Sequence, residues 1–148
     1  MSATIKAALV ALLALLLATD AFAQNKVPNE RTLETLVKAN LVSFNDAVVT
    51  GNFAVLHARL AKPLRDKYSP EELAKIFKQF AEQKAEFYVI TSYKPTYDPP
   101  PAIDGEGKLQ VKGLFPTEPS KVGFDLTFIP SDGGWRLIGI NVTMKKAD

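Results

Sequence analysis

The sequence contains no cysteine. That absence excludes disulfides, thiolate nucleophiles and thiolate-bound metals, so stability must come from packing alone. Histidine is nearly as scarce: His57 stands alone, and a histidine-based metal site needs several ligands, so no metal is expected. An excess of one charge is lacking too, since 18 Lys and Arg against 16 Asp and Glu leave a net charge of +2. So small and dispersed an excess argues against a nucleic-acid footprint. No phosphate-binding glycine loop, nucleophile elbow or paired-carboxylate spacing occurs, which leaves no favoured reaction and no cofactor.

What is present begins with a targeting signal. Lys6 precedes unbroken apolar or small residues from Ala7 to Ala18, followed by Asp20 and the small-x-small triplet Ala21-Phe22-Ala23. This reads as a secretory signal peptide over residues 1–23, cleaved after Ala23. The run is shorter than the roughly 20 apolar residues of a bilayer span, and no cysteine is there to be lipidated. A periplasmic or secreted protein without a stable membrane anchor is expected. Residues 24–148 then form a single domain, of a size that buries well over half of its unfolded surface.

From Leu33 to Val48 the apolar residues Leu33, Leu36, Val37, Leu41, Phe44 and Val48 recur at three- and four-residue steps, predicting one face of a helix closed by Gly51. Asn52 reads as the cap of a shorter helix carrying Phe53, Leu56 and Leu60, interrupted by Pro63. A third helix opens on the capping box Ser69-Pro70-Glu71-Glu72 and buries Leu73, Ile76, Phe77 and Phe80. After Lys84 the period becomes two, and Glu86–Tyr93 ("EFYVITSY") predicts a strand. Lys94–Gly107, with Pro99-Pro100-Pro101, reads as one long stiff loop, because proline cannot join a ladder. Further strands are predicted at Lys108–Phe115, Lys121–Ile129 and Trp135–Met144. The fold class is α+β, with N-terminal helices on a curved, four-stranded, mostly antiparallel sheet.

The last strand is ambiguous. Ile138, Ile140 and Val142 share one face, Trp135, Leu137, Gly139 and Asn141 the other, and both sets carry large apolar groups. A three-residue Asp132-Gly133-Gly134 loop would pair Phe128 with Ile138, Leu126 with Ile140 and Phe124 with Val142. A two-residue Asp132-Gly133 turn would instead set Phe128 against Leu137 and Leu126 against Gly139. The first register is preferred because it matches apolar to apolar and sets Asp125 against Asn141.

Helices followed by an antiparallel sheet that ends on "GGWRLIGINV" resemble the nuclear transport factor 2-like (cystatin-like, cone-shaped) superfamily, over about Glu30 to Met144. The resemblance implies a sheet wrapped around a pocket, often a homodimer through the outer sheet face, and either a pocket enzyme or a non-catalytic binding or accessory domain. Fold alone does not choose between these. A hydrophobic small molecule or a protein partner is the expected ligand, with a pocket lyase or isomerase and an assembly factor of a periplasmic complex as alternatives.

Candidate catalytic groups are His57, whose ordinary pKa lies near neutrality, Asp125, the polar interruption of an apolar strand, and Tyr88. Candidate ligand contacts are Tyr88, Tyr93, Asn141 and Arg136; Tyr68 and Tyr97 could add hydroxyls. Each also has a plain structural reading as a packed or solvated side chain. Asn141-Val142-Thr143 matches a glycosylation acceptor but lies within a predicted strand.

Overall fold

The computed structural model describes residues 25–146; the expected signal peptide and its expected cleavage point lie outside them. Helix α1, Glu30–Thr50, starts where the Asn29 side chain accepts from the Thr32 N–H, and ends at Gly51, whose φ of 74° lets its N–H close on the Ala47 carbonyl. Its stripe of Leu33, Val37, Leu41, Phe44 and Val48 is buried, as the period predicts.

The next stretch holds four short helices instead of two: α2 (Ala54–Arg59), α3 (Lys62–Lys67), α4 (Pro70–Ile76) and α5 (Lys78–Glu82). Pro63 does not simply interrupt a helix; it occupies the first turn of α3, where its missing N–H costs nothing. Asn52 accepts from the Ala54 N–H two residues on, and Phe53 is the cap position. The capping box at Ser69 and Glu72 forms as expected. Phe77, at φ −94° and ψ 11°, breaks the predicted third helix into α4 and α5. Leu73 is buried and Phe77 and Phe80 pack on the core, but Ile76, the last residue of α4, is 54% exposed.

The segment predicted as the first strand is not one. Tyr88–Ser92 is a 3-10 helix, and the buried residues Phe87 and Ile90, with the half-buried Tyr93, recur every three residues, the period of that helix. Buried Asn45 of α1 accepts the Phe87 N–H at 2.9 Å, which supplies the bond a sheet would have given. The Phe44 ring packs against Phe77, Phe80 and Phe87, with centroids 4.9 to 6.1 Å apart.

The sheet is antiparallel, in the order β1 (Thr96–Tyr97), β3 (Leu109–Phe115), β4 (Ser120–Ser131), β5 (Gly134–Lys146), with β2 (Ala102–Ile103) also on β3. Strands β1 and β2 come from the segment expected to be an unpaired loop. Each pairs with β3, and the three consecutive prolines fill the gap between them. Gly113 is forced by this close approach: a Cβ there would sit 1.9 Å from the Thr96 carbonyl oxygen. Strand β4 is central and sends Val122, Phe124, Leu126 and Phe128 into the core.

Strand β5 (Gly134–Lys146) adopts both competing registers, one at each end. Near the turn Ser131 faces Gly134 and Phe128 faces Leu137, as a two-residue Asp132-Gly133 turn requires; both turn residues have positive φ, 52° and 76°. Beyond a bulge opposite the Thr127/Phe128 step, Leu126 faces Ile140, Asp125 faces Asn141 and Phe124 faces Val142. The extra residue is Ile138, so the expected Phe128–Ile138 pair does not form. Trp135 and Leu137 before the bulge, and Ile140 and Val142 after it, all reach the same core. Apolar groups from both faces predicted for the last strand are thereby turned inward.

Candidate functional site

Three of the concave regions among the described residues are candidate sites. The first is an apolar crevice of about 200 Å³ beside β5, walled by Leu56, Leu60, Leu64, Leu73 and Phe77 and by Leu137 to Ile140. The Ala61 N–H donates to the Leu137 carbonyl at 2.8 Å and ties the α2–α3 link to the edge of β5 at one point. From there the bulge at Ile138 carries the strand along the crevice. Tyr68 and Ile76 complete its lining.

The second region is a groove of about 350 Å³ on the outer sheet face. Cross-strand register makes its floor from the row Leu114–Gly123–Thr143 and places the row Lys112–Asp125–Asn141 at one end and the pair Lys121–Lys145 at the other. The third, of about 470 Å³, runs along the first half of α1 to the end of α2 and includes Arg31, Thr35, Asn40 and Arg59. Asn40 Nδ2 donates to the Leu36 carbonyl at 2.8 Å, while Asn40 Oδ1 and Arg59 Nε are buried without hydrogen-bond partners.

The predicted site residues are dispersed. His57 Nε2 lies 2.8 Å from the Tyr68 carbonyl and 3.3 Å from that of Arg65. Carbonyls only accept, so this nitrogen carries the proton and pins the end of α3 to α2. Asp125 and Asn141 do come together, side by side and exposed on the outer face. Tyr88 is 51% exposed on the 3-10 helix, remote by sequence and element from either. Tyr93 is half-buried against the core, and Arg136 lies on β5 opposite Ile129. Among the described residues no group of three or more His, Asp or Glu side chains is placed to hold a metal, and no helix is long and apolar enough to cross a membrane.

Two residues stand out for altered acidity: Tyr97, one of the tyrosines that could add a hydroxyl, and Asp132 of the hairpin turn, which the sequence marks only as a turn residue. Tyr97 is pushed up to about 12, first by burial of its hydroxyl and then by the negative charges of Glu34 and Glu30. Its hydroxyl is buried without a partner, and its ring packs edge-on against Phe124. Asp132 is held below the usual carboxylate range, chiefly by its bond to Arg65 and then by Ser131. The Arg65–Asp132 contact, 2.8 Å, joins α3 to the hairpin turn. Asn40 had a legible signal, an amide between Val37 and Leu41 on the apolar stripe. Ile138 had none, because a bulge leaves no mark in composition.

No protein-family model, curated protein or solved structure matches the chain.

Proposed function

We propose that the protein is a small exported, non-catalytic binding domain that holds a hydrophobic small molecule in the crevice beside β5. The observation that carries this reading is the crevice itself: about 200 Å³, walled mainly by apolar side chains. Apolar cavities of roughly 150 Å³ take up benzene-sized guests, so a single ring or a short acyl chain suits the space. Tyr68 is the one side chain in the lining with a hydroxyl, a pattern of many apolar contacts and few polar ones that is usual in ligand sites.

The alternative of a pocket enzyme finds less support. The space between helices and sheet is filled by Phe44, Phe87, Phe115 and Phe128, each nearly fully buried. His57, Asp125 and Tyr88 share no site, so no acid and base face a common substrate. The likeness of element order to the cone-shaped superfamily is compatible with a non-catalytic member, and export remains part of the proposal on the strength of residues 1–23 alone.

The test is titration with N-phenyl-1-naphthylamine, whose fluorescence rises in apolar surroundings. Saturable one-to-one binding is expected, weakened at least tenfold by Ile76→Asp, which puts a carboxylate on the rim at a position exposed enough to leave folding intact. Absence of saturable binding, or equal binding by the variant, would refute the crevice as the site.

A further inference from the structure

We propose a second binding site, of opposite character, on the outer sheet face: a groove for a small organic molecule that carries a phosphate or carboxylate group. Its floor is Gly123, flanked on the same row by Leu114 and Thr143. A Cβ on Gly123 would come within 2.5 Å of Thr143 Oγ1, so the threonine hydroxyl leans over the floor where a side chain would otherwise lie. The resulting space, about 350 Å³, falls within the range of small-molecule sites.

Charge decides what fits. Lys121 and Lys145 are direct cross-strand partners on this face, and like charges so placed repel. Neither they nor Lys112, which also lines the groove, lies within 4 Å of a carboxylate among the described residues. Asp125 is the one acid in the groove's lining. It stands four residues along β4 from Lys121, roughly 13 Å at strand rise, too far to neutralise that pair. An oxyanion between the two ammonium groups would relieve their repulsion and take a hydrogen bond from Thr143. The body of the ligand would then cross Gly123 beside Leu114, and its far end would meet Lys112, Asp125 and Asn141. A hydroxyl or amine suits that end, because Asp125 accepts. Three cations against one acid set the sign, and the glycine floor sets the place.

The same chemistry could come from a soluble phosphate ester or from an anionic lipid headgroup, and the experiment separates them. Thermal unfolding of the purified protein is followed with sodium pyrophosphate at fixed ionic strength, and flotation is measured with vesicles of phosphatidylglycerol in phosphatidylcholine. Two double variants that remove equal charge are compared, Lys121→Gln with Lys145→Gln in the groove and Lys75→Gln with Lys84→Gln on the helical side. A rise in Tm of several degrees with millimolar pyrophosphate, kept by the helical-side variant and lost by the groove variant, supports a soluble ligand. Flotation with the same dependence and no pyrophosphate response supports a headgroup. The unliganded groove variant should melt no lower than the parent, since it removes a repulsion, so loss of binding cannot be put down to misfolding. Equal responses from the two double variants, or no response to either probe, would overturn the site.

Discussion

Leu137 and Ile140 lie three residues apart on β5, yet both face the core, through pairing with Phe128 and Leu126 on the buried side of β4. In a regular strand residues three apart point to opposite faces. Ile138, the inserted residue of the bulge, reconciles them, and it also lines the apolar crevice. One extra residue therefore does two things: it lets β5 bury two out-of-phase apolar sets, and it bends the strand where the crevice opens.

Deleting Ile138 is expected to leave the fold intact. Leu137 would stay opposite Phe128, and Gly139 would follow opposite Thr127 in an unbroken ladder, so no core residue changes face. The loss of a partly buried isoleucine should lower stability by about 1–2 kcal/mol. Circular dichroism and cooperative thermal unfolding should persist while naphthylamine binding falls away. A deletion variant that fails to unfold cooperatively would show that the bulge is needed for folding rather than for the crevice.

The sequence made α1 legible because its apolar stripe, its cap and its closing glycine agree with one another, and β4 legible because its alternation is unbroken. It misled at Glu86–Tyr93. There the β-rich composition was outweighed by burial of Phe87 and Ile90 at three-residue spacing and by Asn45 reaching across from α1, a tertiary bond that no local pattern contains. The hairpin was legible as two alternatives, each correct at one end, and a bulge satisfies both. Of the site residues, Asp125 and Asn141 were placed together by register alone; the walls of the crevice were not, since they come from α2, α3, α4 and β5 at once.

Asp132 should give the hairpin a pH dependence on the acid side. Its folded pKa is depressed from 3.8, mainly through Arg65, so its contribution is present above that value and is lost as pH falls through the lower folded one. Asp132→Asn keeps a residue that tolerates the positive φ of the turn but removes the charge. The variant should melt below the parent at pH 6, and the gap should narrow steadily between pH 4 and pH 2. A gap independent of pH would mean that the Arg65 contact contributes nothing through charge.

Tyr97 should act at the alkaline end, and in the opposite sense. Its hydroxyl is buried with no partner, and leaving a polar group so placed is unfavourable, so Tyr97→Phe is expected to raise stability near neutrality by about 1 kcal/mol. Because the folded pKa is raised from 10.0 to about 12, the unfolded chain loses its proton first. The parent's stability therefore holds below pH 10 and declines between pH 10 and 12. The phenylalanine variant lacks that decline, so its advantage in urea unfolding should widen from pH 9 to pH 11.5. An advantage that stays constant over this interval would place the Tyr97 hydroxyl in contact with solvent, and a variant less stable than the parent at pH 7 would mean that the hydroxyl has a partner within the fold.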